Sequence, residues 1–217
     1  MSSGRTAQLR MAVVMALCAA ALTSCAGGAL GQGRSPGYIV IDALTAASGA
    51  DPTKFGGTLD SDVLTMVKQQ VNGQQVSVPT VFGDLGQVAM HLNLKDVGSA
   101  ASPTAPTANN EITINQYHVS YARSDGLNTP GVDVPYAFDG AITATISGSQ
   151  AVTFSFDIVR VQAKEEAPLA ALRNGGGAHA ISTIATVTFY GQDQTGHQVS
   201  VSGTISVNFG DWADPSR

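Results

Sequence analysis

Ala185-Thr186-Val187-Thr188-Phe189-Tyr190-Gly191-Gln192-Asp193-Gln194-Thr195-Gly196-His197-Gln198-Val199-Ser200-Val201-Ser202-Gly203-Thr204-Ile205-Ser206-Val207-Asn208-Phe209 is the stretch on which the fold turns. Ala185, Val187 and Phe189 share one phase. After a polar turn over 191–196, Val199, Val201, Ile205, Val207 and Phe209 share another, with Ser200, Ser202, Thr204, Ser206 and Asn208 between them. Successive side chains of a strand point to opposite faces, so the apolar set meets a core and the polar set meets water. Clean alternation of this kind belongs to antiparallel sheets with one wet face.

Working back from that pair, further strands follow by the same rule. Val152, Phe154, Phe156 and Ile158 alternate, and so do Val88, Met90, Leu92 and Leu94. Phe138, Ile142, Ala144 and Ile146 form a strand that Gly148-Ser149-Gln150 is expected to join to 152–158 as a hairpin. Ile112 and Ile114 point one way, whereas Tyr117, Val119 and Tyr121 occupy the opposite phase. A change of face inside one strand predicts a bulge near Asn115-Gln116. Asn72-Gly73 between Val71 and Val76-Ser77-Val78 is the strongest short-range hairpin signal. A helix over 63–71 ending at Gly73 is the alternative there. Tyr38-Ile39-Val40-Ile41 is a continuous apolar run, as for a strand covered on both faces or lying at the sandwich core. Residues 96–110, with Pro103 and Pro106, read as a loop, and 163–180 as an insertion with a short helix over Glu165 to Arg173. About eight strands separated by turn signals predict an all-β fold, an immunoglobulin-like antiparallel β-sandwich over 38–217.

The N-terminus reads as a processing signal. Arg5 and Arg10 precede an uncharged apolar run from Met11 to Leu22. About a dozen residues are too few to span a bilayer as a helix, but they suit the apolar region of a signal peptide. The run ends at Leu22-Thr23-Ser24-Cys25, which resembles the lipobox of bacterial lipoproteins. The resemblance implies a diacylglycerol thioether on Cys25, cleavage before it and an acylated amine at the new N-terminus. Residues 1–24 are then the signal, and 25–37, rich in glycine, a lipidated tether. An ordinary secretory signal cut near Ala19-Ala20-Ala21 is the alternative. The expected address is extracytoplasmic, with the membrane as partner through the lipid on Cys25. Ala26, not aspartate, follows the cysteine, so an outer membrane is favoured where two membranes exist.

Loss of 1–24 leaves 9 Lys and Arg against 16 Asp and Glu. This mildly acidic chain carries no basic footprint, so no nucleic-acid partner is expected. Charged residues make up 12% of the whole chain, against about 25% in typical globular domains. Ser, Thr, Gly, Gln and Asn supply the polarity instead.

Ser124-Asp125-Gly126-Leu127-Asn128-Thr129-Pro130-Gly131-Val132-Asp133-Val134-Pro135-Tyr136, together with the stretch from Phe189-Tyr190-Gly191-Gln192-Asp193 to Asn208-Phe209, resembles a group of uncharacterised bacterial exported lipoproteins with an immunoglobulin-like β-sandwich. The resemblance extends over most of the chain from Tyr38 onward. It implies the fold and the exported address, and it adds no activity, cofactor or site.

Few residues suggest chemistry. Asp125, Asn128, Asp133 and Asp139 lie in one loop rich in Gly and Pro, and calcium takes six to eight oxygen ligands of this kind. Asp-Gly and Thr-Pro are equally ordinary turn chemistry. His91, His118, His179 and His197 are scattered, with no metal-site spacing. The many serines permit a Ser-His-Asp set on paper, as composition always does. Gly175-Gly176-Gly177 follows the expected helix and opens none, so it makes a poor phosphate cradle. Glu165-Glu166 suits a helix N-terminus. Tyr117, Tyr121, Tyr136, Tyr190 and Trp212 are candidates for an aromatic glycan platform, or for core packing. No cofactor is expected. The leading expectation is a lipid-anchored, non-catalytic envelope protein with a structural or interaction role and an envelope protein or glycan as partner. A module binding a glycan or calcium comes second, and an envelope enzyme third.

Overall fold

A computed structural model of the chain describes residues 35–175 and 179–212. They fall within one compact unit, Ser35–Arg217. The strands are β1 (Gly37–Ala47), β2 (Thr58–Asp62), β3 (Thr65–Val71), β4 (Gln74–Thr80), β5 (Asp84–Leu94), β6 (Gly98–Ser99), β7 (Ser102–Pro103), β8 (Ile112–Ala122), β9 (Phe138–Ile146), β10 (Val152–Val159), β11 (Ile181–Asp193) and β12 (Gln198–Gly210). Helix α1 spans Val161–Glu165, and 3-10 turns lie at Ala108–Asn110 and Leu169–Leu172.

Eight strands build two sheets. One has the order β1-β5-β10, the other β2-β12-β11-β8-β9. Every neighbouring pair is antiparallel except β2 with β12, which runs parallel. The chain therefore crosses from the smaller sheet to the larger between β1 and β2. The inward faces share one core, where Phe154 and Phe156 of the small sheet meet Phe189 of the large one edge-on, at 5.8 and 5.2 Å between ring centroids. The fold is an all-β, immunoglobulin-like sandwich. Two further ladders stand apart from these sheets, the β3–β4 hairpin and the two-residue β6–β7 pair.

The pair that opened the sequence reading forms as expected. Ala185, Val187, Phe189, Ile205, Val207 and Phe209 are buried, Val199 and Val201 are half-buried, and Ser200, Thr204 and Ser206 are exposed. The bulge also appears, as a register shift between Ile114 and Gln116 against β9 and between Tyr190 and Gly191 on the β11 side. There the backbones close in, and a Cβ on Gly191 would lie 2.4 Å from the Thr113 carbonyl oxygen. Asn72 and Gly73 both have positive φ, 53° and 79°, as the two-residue hairpin turn requires.

Three expectations are corrected. Strands β9 and β10 do not pair: β9 lies beside β8 and β10 beside β5, so 147–151 carries the chain between sheets. Alternation reports which side chains turn inward, and it is the same whether the next strand pairs or crosses. Of the two readings of the Tyr38–Ile41 run, cover on both faces gives way to the sandwich core: the run lies in an edge strand with Ile39 buried in the core and Tyr38 42% exposed. The helix expected over 165–173 lies earlier, at Val161–Glu165, and the 3-10 turn follows. Pro168 disfavours helical backbone at the residue before it, and the chain is already extended at Glu166. Strand β2 gave no sequence signal, because its inward positions are Leu59, Ser61 and Asp62.

Candidate functional site

The densest chemistry lies inside the sandwich. Ser61 and Asp62 end β2, Asp84 begins β5, and α1 carries Lys164. All four are buried, and so is Thr65 at the start of β3. Lys164 Nζ donates to Asp84 Oδ1 at 2.9 Å and to the Asp62 carbonyl at 2.8 Å. Asp84 also accepts from the Gly49 N–H at 2.9 Å and from the Ser61 hydroxyl at 2.6 Å. The Asp62 carboxylate accepts from the Thr65 hydroxyl at 2.6 Å, the Trp212 N–H at 3.1 Å and the Leu64 N–H at 3.4 Å. Burial pushes the Asp62 carboxyl up despite these bonds and the nearby Lys164 charge. Arg173 holds the Lys164 carbonyl at 3.0 Å, and the Trp212 indole N–H holds the Ser61 carbonyl at 3.2 Å. An amine and two carboxyl groups from three separate segments of chain are thus gathered out of water.

Of the candidate calcium ligands over 125–139, Asp125 is already paired with a cation of the protein itself. Asp125 pairs with the Arg123 guanidinium, whose Nε lies 3.1 Å from each carboxylate oxygen. That contact, helped by the Leu127 N–H, holds the Asp125 carboxyl below its ordinary value. Asn128 Oδ1 accepts the Arg123 N–H at 2.6 Å. Asp133 accepts the Thr129 N–H at 3.0 Å, and Asp139, on β9, pairs with His118 at 2.9 Å. The four residues considered for calcium are therefore each engaged in local bonds. Among the described residues, no group of three or more His, Cys, Asp or Glu is arranged to hold a metal ion.

Three of the histidines, His91, His118 and His197, each meet one carboxylate. His91 meets Asp42 at 2.8 Å, and His197 meets Asp193 at 3.1 Å. Ser35 joins this second corner with its hydroxyl bonded to the Asp193 carboxylate, and the Thr195 hydroxyl lies 2.6 Å from His197 Nδ1. Burial would raise the Asp193 carboxyl, but the Thr195 hydroxyl and the His197 N–H outweigh it and hold it far below the ordinary carboxylate range.

The aromatic platform does not assemble. Tyr117 and Tyr121 are core residues, Tyr117 packing edge-on to Phe156 at 5.2 Å and Tyr121 to Phe209 at 5.6 Å. The Tyr121 hydroxyl crosses the sandwich to the Ile158 carbonyl. Tyr136 and Tyr190 are exposed. Tyr136 lines a shallow recess with Arg160, Gln162 and Glu166, where the Arg160 guanidinium lies 4.0 Å from the Phe138 ring centroid.

One element projects. Hairpin β3–β4 pairs Val67 with Val78, Gln69 with Val76 and Val71 with Gln74, which puts Val67, Val71, Val76 and Val78 on one face. Val71 and Val76 are 48% and 44% exposed. The lipobox residues Leu22, Thr23 and Ser24 and the lipid-bearing Cys25 lie outside the described residues.

Lys164 and Asp84 were missed by the sequence reading. A lysine inside a polar insertion has the local pattern of a solvated one, and the residues that bury it are far away in the chain. No protein-family model matches the chain, and no curated protein matches it.

Proposed function

We propose that the chain is a lipid-anchored, non-catalytic protein of the cell envelope with an interaction role, held to the membrane through Cys25. The β3–β4 hairpin is its contact element. The observation that carries this reading is the valine face of a hairpin bonded to neither sheet of the sandwich. An isolated two-stranded hairpin is marginally stable in water, and its outer edges offer unpaired backbone groups. Exposed apolar side chains on such an arm suit a partner that adds a strand or covers the face.

A photo-crosslinking side chain at Val76, in the full-length protein within intact envelopes, tests the reading. The same group at Gln75, on the opposite face, is the control. An adduct of defined mass from position 76 and none from 75 is expected. Equal labelling at both positions, or none at either, overturns it. The anchor is tested separately with Cys25→Ser, which should move the protein from the detergent phase to the aqueous phase.

The recess beside Tyr136 favours a second reading, a glycan-binding module. An exposed phenol ring stands there beside a guanidinium, an amide and a carboxylate. Loss of binding to envelope polysaccharide in Tyr136→Ala, with hairpin cross-linking absent, would select this reading over the first.

A further inference from the structure

We propose that Lys164 and Asp84 become joined by an amide bond between Nζ and Cγ, an intramolecular cross-link that forms once the sandwich has folded. The geometry is that of reactants held in contact. Nζ lies 2.9 Å from Asp84 Oδ1, and the two side chains are 1% and 0% exposed. Asp84 is pinned from two further sides, by the Gly49 N–H on Oδ1 and the Ser61 hydroxyl on Oδ2. Lys164 is pinned by the Asp62 carbonyl.

The hydrogen-bond count favours the product. An ammonium group has three N–H donors, and among the described residues two acceptors meet it, Asp84 Oδ1 and the Asp62 carbonyl. An amide nitrogen has one N–H, and the Asp62 carbonyl is in place to accept it. The amide oxygen, the former Oδ1, keeps the Gly49 N–H. Two buried charges disappear, and each remaining buried polar atom of the new bond has a partner.

The reaction is a dehydration. A buried ammonium–carboxylate pair can become amine and acid, since low dielectric disfavours both charges, with the acid proton resting on Oδ2, the oxygen that meets the Ser61 hydroxyl. The Nζ lone pair then attacks Cγ. Negative charge that develops on Oδ1 faces the Gly49 N–H, a donor already aimed at it. Oδ2 leaves as water. Two of the three ammonium protons depart with it, and the third stays on the amide nitrogen. One C–N bond forms, one C–O bond breaks, and nothing is oxidised or reduced. Well-oriented groups in one molecule react as if at concentrations of about 10⁵–10⁸ M. Exclusion of solvent from the site opposes the return of water.

The bond would connect β5 to the segment after β10, 80 positions apart in the chain. Trypsin cuts after Lys and Arg, so unlinked protein releases 69–95, 161–164 and 165–173. An acylated Lys164 is not cleaved. Full-length protein is purified in detergent from membranes, denatured and digested, and the peptides are sequenced by mass spectrometry. The expected product is 161–173, uncut at Lys164, joined to 69–95 and lighter by one water than the two peptides together. Lys164→Met should return 69–95 as a free linear peptide. If that variant fails to fold, the wild-type digest decides by itself. Free 69–95 and cleavage after Lys164 as the dominant products of folded wild-type protein overturn the proposal.

Discussion

Lys164 and Asp84 meet 2.9 Å apart at the interior end of the sandwich, although 80 positions separate them in the chain. Taking a lysine and an aspartate out of water costs several kcal/mol per ion, so the pair persists only because Ser61, Gly49 and the Asp62 carbonyl complete its bonding. The same contact ties α1 to the first residue of β5 and to the last residue of β2. One helix that belongs to neither sheet is thereby held to the large sheet and the small one at once.

Breaking that contact from one side should be expensive. Lys164→Met leaves Asp84 buried with no countercharge, and a loss of about 3–5 kcal/mol is expected. Adding Asp84→Asn removes the stranded charge, leaving an oxygen for the Gly49 N–H and an amide N–H that the Ser61 hydroxyl oxygen can accept. The double variant should therefore be more stable than Lys164→Met alone. Denaturant melts of the three proteins measure it, and additive losses would show that the carboxylate is not what Lys164 compensates.

The alternation on β12 gives a paired test. Phe209 is fully buried and packs edge-on to Tyr121, so Phe209→Ala should cost about 3–5 kcal/mol. Ser206 is exposed, and Ser206→Ala should stay within about 0.5 kcal/mol. Both residues share one strand and one local propensity, so the difference isolates burial. Equal costs would contradict the one-wet-face sheet.

Gly140 is held by a ring. A Cβ there would lie 2.2 Å from Tyr117 Cζ, and that ring is packed among Phe138, Phe156 and Phe189. Gly140→Ala should cost about 1–3 kcal/mol, because the ring has no free direction in which to yield. At Gly148 a Cβ meets nothing within 4 Å, and Gly148→Ala should stay within about 0.5 kcal/mol. Thermal melts compare the two.

Acid should loosen the β11–β12 turn first. The folded carboxyl of Asp193 is lowered from an ordinary value of 3.8, so the folded state prefers it ionised. Its contribution is complete above that value and is lost as the pH falls toward the lower folded one. Asp193→Asn should therefore remove stability at neutral pH and flatten the acid limb below about pH 4. Asp62 works in the opposite sense: its raised carboxyl favours the folded state while protonated and weakens it as the pH rises through the folded value. A stability profile in which Asp193→Asn keeps the wild-type slope below about pH 4 would remove Asp193 from this role.

Some of this protein was decided locally, in the sequence itself. The phase of Ala185, Val187 and Phe189 against Ile205, Val207 and Phe209 determined which faces are buried. The slip between Ile114 and Tyr117 determined the bulge, and Asn72-Gly73 determined a tight hairpin. Each of these depends on side-chain direction or on the backbone angles of one or two residues, and neighbours in sequence suffice to set them. The partners of each strand were decided by tertiary structure alone. Strand β9 joined β8 and β10 joined β5, and β2 closed parallel on β12, because pairing depends on which surfaces remain to be covered once the core forms. The Lys164–Asp84 contact belongs to the same class. An ion pair is buried by residues brought from elsewhere in the chain, and no spacing around Lys164 or Asp84 records that they will arrive.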